Sequence, residues 1–277
     1  MTPLPADFRF SQSSLQDYVD CPRRFELRYL QHLNWPAAES EPIREQEEHM
    51  VQGALFHRLV QQYFIGLPVD VLTRSIADER VAEWWGRFLT HAAPELPQRR
   101  FPEIALSAAL GPHRLIAKFD LIAIEPGQRA VIYDWKTALH RSRRDRLETR
   151  VQTILYRYLL ARAGAYLNDG APIAPEQISM IYWFAEFPQQ PEVFTYDAEQ
   201  HQRIEVDLLR LLDSIAERPA GGFPLTDEID RCKYCRYRSL CQRGIKAGDF
   251  DGYEAEEAAE FDLDALIDLD QIGEIAF

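Results

Sequence analysis

Apolar and polar positions along this chain follow two periods. A spacing of three to four residues predicts helices at 14–32, 44–65, 70–91, 145–164 and 198–216. Runs rich in β-branched and aromatic residues, bounded by turn residues, predict strands near 101–110, 113–124, 129–136, 177–185 and 191–196. Ser13 with Gln16 predicts a capping box for the first helix. This order of elements is typical of an α/β fold whose mixed sheet carries helices on both faces.

Three charged residues lie on the second and third predicted strands, around a Pro126-Gly127 turn. Asp134 and Lys136 are two residues apart, so their side chains leave the same face of the strand. If the loop between the two strands holds an odd number of residues, for example the three residues 126–128, Asp120 falls opposite Asp134 in the antiparallel pair. Two carboxylates and one ammonium group then converge on one face.

These residue types permit metal-assisted hydrolysis. Neighbouring carboxylate oxygens are hard ligands that suit Mg²⁺ or Mn²⁺. Such an ion acidifies a bound water and neutralises charge on a phosphodiester, and Lys136 would position or deprotonate that water or stabilise the phosphorus centre. From Asp120, Asp134 and Lys136 alone, an ordinary surface ion pair on a hairpin is an equal alternative.

Two helical motifs flank the hairpin. The segment GALFHRLVQQY carries His57, and QTILY carries Gln152 and Tyr156 four residues apart on one helix face. With Phe119-Asp120 and the Asp134-Trp135-Lys136 triplet, they resemble the PD-(D/E)XK nuclease superfamily and, within it, the RecB-like branch. That branch includes the nuclease domains of RecB and AddB and CRISPR-associated exonucleases.

The resemblance implies a restriction-endonuclease-like core and a role for each motif residue. His57, Asp120 and Asp134 would hold Mg²⁺ or Mn²⁺, and an imidazole ligand would bias the site toward manganese. Lys136 would assist the water, Gln152 would hydrogen-bond near the metal, and Tyr156 would contact the nucleic-acid strand by stacking or through its hydroxyl group.

This sequence departs from the family pattern at two positions, where Ala117 replaces a frequent Gly and Trp135 fills the middle of the D-x-K triplet. Neither departure removes a ligand. Glu103, on the preceding strand, matches a frequently acidic position of the family, and the resemblance makes it a further candidate ligand.

Four cysteines form a second candidate site. Cys232, Cys235 and Cys241 follow a C-x-x-C-x5-C pattern, and Cys21 lies near the other terminus. No export leader precedes them, so we expect a cytoplasmic protein in which clustered thiols hold metal rather than form disulfides. Spacing leaves zinc and an iron-sulfur cluster open. The resemblance favours a 4Fe-4S cluster that clasps the N-terminal helical part to the C-terminal segment.

Charge and length define the expected organisation. Residues 1–246 would form one nuclease domain, with a mainly helical part (1–100), a catalytic α/β core (101–216) and a cysteine segment (217–246), followed by an acidic tail (247–277). The tail holds eleven of the 44 acidic residues and no Lys or Arg, so the body is nearly neutral despite a net charge of −13. The five arginines of 141–150 can therefore form a local positive groove.

The tail mixes acids with apolar residues. It is either a disordered solubilising extension or an amphipathic helix that docks on a protein partner or on the enzyme's own basic groove. No apolar run reaches membrane-spanning length.

These observations together predict a metal-dependent DNA nuclease. We expect an exonuclease on single-stranded or frayed DNA ends in repair, recombination or CRISPR-related processing. The alternative is a non-catalytic iron-sulfur or zinc DNA-binding module, or a subunit of a larger helicase-nuclease complex. Cleavage by the purified chain alone would separate these hypotheses.

Overall fold

A computed structural model of this chain describes residues 4–33, 41–93, 96–219, 221–233 and 235–246. The predicted acidic tail lies outside the described residues. The helices are α1 (Gln12–Asp20), α2 (Pro22–Phe25), α3 (Glu41–Phe64), α4 (Val69–Arg74), α5 (Glu79–Arg87), α6 (Arg144–Thr149), α7 (Val151–Ala163), α8 (Ala198–Ala216) and α9 (Ile229–Cys232). Two π-helical turns, Glu26–Leu30 and Phe88–Ala92, extend α2 and α5. Among the described residues, no helix has the length and apolar character needed to cross a membrane.

A six-stranded mixed sheet forms the centre. Its strands are β1 (Arg9–Phe10), β2 (Arg99–Leu110), β3 (His113–Glu125), β4 (Arg129–Lys136), β5 (Ile178–Phe184) and β6 (Glu192–Thr195). β2 pairs with one edge of β3 over its whole length. The other edge of β3 is shared by antiparallel β4 and, nearer the start of β3, by parallel β1. β5 runs parallel to β4, and β6 pairs with β5.

The sheet is buried on both faces, as the alternation along β4 shows. Ala130 and Ile132 belong to a core cluster that includes α1, α7 and α8, which we call the α7 face. Val131, Tyr133 and Trp135 belong to a second cluster with α3, α4 and α5, which we call the α3 face. The predicted α/β architecture, with a mixed sheet covered by helices on both sides, is confirmed.

The five predicted strands are present, and the connection between β3 and β4 is the three residues 126–128. Its odd length puts Glu125 opposite Arg129 and Leu121 opposite Tyr133. The two-residue β1 was not predicted, since two residues carry no periodic signal.

The prediction of one helix at 14–32 is wrong. The helix ends at Asp20, and Cys21 is extended with φ −162° because the ring of Pro22 disfavours helical backbone in the residue before it. The capping box is formed by Ser11 with Ser14, and not by Ser13 with Gln16. The break places Cys21 at a junction between two helices.

Two other predicted helices are also divided. The segment 70–91 is interrupted before Asp78, whose carboxylate caps α5 by accepting from the Val81 amide at 3.0 Å. The segment 145–164 is interrupted at Arg150, whose backbone is extended.

Gly53 sets how closely α3 approaches the end of β4. A Cβ at this position would lie 2.9 Å from Oγ1 of Thr137, which directly follows β4. The absence of a side chain at Gly53 therefore lets α3 bring His57, one turn further along the helix, to the sheet.

We expect Gly53→Ala to destabilise the protein by about 1–3 kcal/mol, because the added methyl group overpacks this contact. Thr137→Ala in the same chain should restore most of the loss, since it removes the oxygen. Urea unfolding measures both. Gly86→Ala is the matched control, because a Cβ there meets nothing within 4 Å, and it should stabilise α5 by roughly 0.5–1 kcal/mol. A Gly53→Ala protein as stable as the parent would contradict the account.

Candidate active site

The site lies where β3 and β4 separate. Their ladder ends at the pair Leu121 and Tyr133, and the same register continued by one residue sets Asp120 opposite Asp134. Oδ2 of Asp120 accepts a hydrogen bond from the Trp135 amide at 2.9 Å. The Asp120 carboxylate thus accepts from a backbone amide of β4 that has no backbone partner among the described residues of β3 beyond the end of the ladder.

Glu103 lies opposite Asp120 on the other neighbouring strand. It has φ +53°, in the left-handed region that non-glycine residues rarely adopt. The regular pairs on either side, Pro102 with Leu121 and Ile104 with Phe119, keep one register across this gap. Glu103, Asp120 and Asp134 therefore form one row across three strands.

The alternation of side chains between the two faces of the sheet is interrupted at this row in both β2 and β3. Phe101 and Ile104 both pack on the α7 face although they are three residues apart, and so do Phe119 and Ile122. Regular alternation would send one residue of each pair to the opposite face. The irregularity takes Glu103 and Asp120 out of normal alternation, whereas β4 keeps it at Asp134. A strained backbone such as that of Glu103 is typical of functional sites.

Three side chains of the site could hold a metal ion. One donor atom from each of His57, Glu103 and Asp120 lies within 4.8 Å of the others, and Nδ1 of His57 is 3.4 Å from Oδ1 of Asp120. An imidazole and two carboxylates are a suitable donor set for Mg²⁺ and better for Mn²⁺. The structure thus brings together two of the predicted ligands, His57 and Asp120, with Glu103, the further candidate from the sequence.

Asp134, the third predicted ligand, is not part of this group. Its Oδ2 is 3.0 Å from Nζ of Lys136, and its Oδ1 accepts from Nε2 of Gln152 at 2.7 Å. Both partners approach from the α7 side, because Asp134 alternates with Tyr133 and Trp135 of the α3 face. Asp134 and Lys136 therefore lie on one face of β4, as their two-residue spacing predicts.

The amide of Gln152 links the polar groups on the α7 side. Its Oε1 accepts from Nζ of Lys136 and from the Tyr182 hydroxyl, each at 3.2 Å. Its Nε2 donates to Asp134 and, at 3.3 Å, to the hydroxyl of Tyr156. Each donor and acceptor of the amide is used, which fixes the orientation of Lys136 relative to Asp134.

Tyr156 is a buried residue, with 3% of its surface exposed. Its ring centroid is 4.4 Å from that of Phe119, and its hydroxyl donates to the Lys118 carbonyl at 2.7 Å. In this structure the ring and the hydroxyl group of Tyr156 attach α7 to β3 beside the site.

Sequence reasoning missed two residues of the site, Tyr182 and Lys118. Tyr182 is the register partner of Asp134 in the parallel ladder, and the ammonium group of Lys136 lies 5.4 Å from the centre of its ring. Burial raises the pKa of Tyr182, so its hydroxyl stays a neutral donor. Nζ of Lys118 lies 2.5 Å from Oε2 of Glu103. Only the pairing of distant strands reveals Tyr182, so no local signal could have found it.

Each carboxylate of the row has its own cation. The pairs are Glu103 with Lys118, Asp120 with His57 and Asp134 with Lys136. Burial alone would lower the pKa of His57, but the Asp120 carboxylate raises it to about 9. Burial opposes the charge of Asp120, yet His57 holds the pKa of that carboxyl below its usual range. Burial and then the Asp120 charge raise the pKa of Glu103 against the pull of Lys118.

The predicted arginine run lies at the far end of the same row. Glu192 is the register partner of Tyr182, and its carboxylate binds Arg141 and, at 2.8 Å, Arg144. Arg143 pairs with Asp145 at 2.6 Å. The side chains of Arg143 and Arg144 are 81% and 52% exposed, so each offers an accessible guanidinium group that is also paired with a carboxylate.

None of the four cysteines forms a disulfide, and their thiols lie close enough to influence one another electrostatically. Burial raises the pKa of Cys235 to about 11, and the neighbouring thiols of Cys21 and Cys241 add to the rise. Burial also raises the pKa of Cys241, and Cys21 and Cys232 contribute. Nη1 of Arg243 donates toward Sγ of Cys232 at 3.8 Å.

Protein contacts join the N-terminal helices to the cysteine segment. Arg231 binds Asp20, the Arg23 amide donates to the Pro224 carbonyl at 3.0 Å, and the Tyr237 hydroxyl donates to the Leu33 carbonyl at 2.9 Å. The N-terminal helices and the cysteine segment therefore contact each other directly, through their own hydrogen bonds and ion pairs.

The His57–Asp120 pair predicts a pH-dependent stability. The folded pKa of about 9 exceeds the ordinary 6.5, so the contribution is fully present below pH 6.5 and is lost as pH rises through 9. With chelator present, the free energy of unfolding should fall by roughly 2 kcal/mol more in the parent than in His57→Gln over that interval. Urea unfolding at both pH values measures the difference. Equal pH dependence in the two proteins would contradict the pairing.

Comparison with known proteins identifies the family. No curated protein matches this chain. Among solved structures, it is similar to SSO0001 (TM-score 0.40, 13% identity, covering 86% of this chain and 87% of that one). It is also similar to a Eubacterium rectale protein named "Putative exonuclease" (TM-score 0.45, 12% identity, covering 88% and 91%). At these scores neither likeness carries an argument. Residues 9–242 match the model of the PD-(D/E)XK nuclease superfamily, and this chain therefore belongs to that superfamily.

Proposed function

We propose that this chain is a divalent-metal-dependent deoxyribonuclease of the RecB-like branch. The observation that carries the proposal is the convergence of His57, Glu103 and Asp120 within 4.8 Å, next to a lysine-carboxylate pair, in a chain of a nuclease superfamily. The proposed reaction is hydrolysis of a phosphodiester bond.

The donor set fits the ion that the superfamily implies. His57, Asp120 and Glu103 would hold Mg²⁺ or Mn²⁺, and Asp134, which pairs with Lys136 in this structure, is the further predicted ligand. When bound, the ion supplies an acidified water and neutralises charge on the phosphodiester. His57 must lose its proton to become a ligand, so acid should weaken metal binding.

Lys136 would act on the attacking water or on the charge that develops at phosphorus. Its side chain is only 7% exposed, so its ammonium charge acts in a medium of low polarity, where electrostatic stabilisation is strong. Gln152 and Tyr182 would be positioning residues that hold Lys136 toward Asp134. Tyr156 would fix α7 to β3.

The proposed substrate is DNA, as single strands or frayed ends, in repair, recombination or CRISPR-related processing. The exposed side chains of Arg143 and Arg144 support a polyanionic partner, because guanidinium groups bind phosphates well. These contacts do not read sequence, so we expect cleavage with little base preference. A protein partner of the acidic tail remains a separate proposal, supported by its charge and apolar residues.

The alternative is a non-catalytic DNA-binding module or a subunit that works only inside a helicase-nuclease complex. It retains the cysteines but predicts no cleavage by the purified chain. The convergence of His57, Glu103 and Asp120 favours the enzyme, because a module that only binds DNA does not require a set of metal donors beside a lysine.

We expect Lys136→Met to lower the cleavage rate on single-stranded DNA with Mn²⁺ by about 10²-fold or more, since one buried electrostatic stabiliser is lost. Asp120→Asn should abolish both cleavage and Mn²⁺ binding. Gel assays measure cleavage and calorimetry measures binding.

Glu125→Gln and Arg129→Met are the matched controls, because they remove an exposed ion pair at the hairpin of the same strands. Both should cleave like the parent. The catalytic assignment would be wrong if the Lys136 and Asp120 variants, folded by circular dichroism, cleaved as fast as these controls.

We further propose that Cys21, Cys232, Cys235 and Cys241 hold a 4Fe-4S cluster that clasps the N-terminal helices to the C-terminal segment. The proximity of the four thiols supports a metal site, since a metal would stabilise thiolates that burial disfavours. The resemblance favours iron over zinc, for which four thiolates would also serve. The role is structural.

Protein purified without oxygen should be brown, with about four irons per chain. Cys241→Ser should lose the iron and the visible absorption and unfold at lower urea, whereas Ser239→Ala in the same turn should keep all three properties. Metal analysis and absorption spectroscopy test this. One zinc ion per chain and no colour would overturn the iron-sulfur proposal and leave the nuclease proposal intact.

A further inference from the structure

Lys118 is part of the candidate site, although its side chain belongs to no predicted motif. It lies on β3 two residues before Asp120, and its carbonyl accepts the Tyr156 hydroxyl at 2.7 Å. Its ammonium nitrogen is 2.5 Å from Oε2 of Glu103. The backbone of Lys118 is thus fixed by α7 while its side chain crosses to β2.

The Glu103 carboxylate consequently has two competing cationic partners. Its position within 4.8 Å of His57 and Asp120 makes it a candidate metal ligand, yet its negative charge is already neutralised by Lys118. The left-handed backbone of Glu103 directs its carboxylate into the row. The Lys118 ammonium group and a metal ion would therefore bind the same carboxylate.

Lys118 and Lys136 differ in how easily their ammonium groups can move away from their carboxylate partners. Lys136 is 7% exposed and is held by both Asp134 and Gln152. Lys118 is 31% exposed, and Glu103 is its one ion-pair partner among the described residues. Because solvent borders Lys118, its long side chain can move into water at little cost, whereas Lys136 cannot.

We propose that Lys118 is an internal counter-cation of Glu103 that competes with the catalytic metal ion and so sets the metal affinity of the site. In this structure its ammonium group neutralises the Glu103 carboxylate, which lies close to Asp120. When a divalent ion binds, its ammonium group leaves Glu103. The inference rests on the proposed function, because it concerns the same metal site.

The competition has a measurable consequence. Removing the ammonium charge removes both the repulsion of the incoming ion and the need to break an ion pair. Lys118→Met should therefore bind Mn²⁺ on the order of tenfold more tightly than the parent. Lys118→Arg, which keeps the charge, should bind like the parent.

The test is calorimetric titration of the full chain with Mn²⁺, supported by electron paramagnetic resonance of the bound ion. Arg129→Met controls for the loss of one positive charge elsewhere on the same sheet and should leave the affinity unchanged. When Glu103→Gln is also present, Lys118→Met should give less than about a third of the increase in Mn²⁺ affinity that it gives in the parent. The reason is that both residues contribute to the same interaction.

Two results would overturn the inference alone: a parent that binds Mn²⁺ as tightly as Lys118→Met, or an equal gain in the Glu103→Gln background. Circular dichroism and urea unfolding must show that Lys118→Met is folded, and Lys118→Gln provides a second neutral variant. A parent that binds no Mn²⁺ would overturn the proposed function as well, so the two failures are distinguishable.

Discussion

Three carboxylates on adjacent strands of one sheet repel each other, and the site exists because each has a cation beside it. Lys118, His57 and Lys136 reach Glu103, Asp120 and Asp134 from β3, α3 and β4. Carboxylates this close and this buried would otherwise resist ionisation. The three pairs keep the donor set charged and together before any metal ion arrives.

The fold supplies the geometry for this pairing. β3 and β4 separate after Leu121 and Tyr133, which opens the sheet at the row, and Gly53 lets α3 deliver His57 to the opening. The Gln152 amide fixes Lys136 from the opposite side. Backbone polar groups freed by the separation are used as well, since Asp120 accepts the Trp135 amide.

The sequence was sufficient where one local pattern decides the structure. The turn at 126–128 fixed the register that sets Asp120 opposite Asp134, and the four-residue spacing placed Gln152 and Tyr156 on one helix face. It was insufficient where distant segments meet. The place of Tyr182 depends on the parallel pairing of β5 with β4, and that of Glu103 on a left-handed backbone that no local rule predicts. The helix break at Cys21 had a local cause in Pro22, which the apolar periodicity concealed.

The central claim is that His57, Glu103 and Asp120 bind one divalent ion beside Lys136. The most direct measurement is a crystal structure of the protein with Mn²⁺, using anomalous scattering to locate the ion. The account predicts one strong peak within about 2.0–2.3 Å of a nitrogen of His57 and of carboxylate oxygens from the row, with Lys118 moved away from Glu103. A peak elsewhere, or an ion that His57 and Asp120 do not touch, would contradict it.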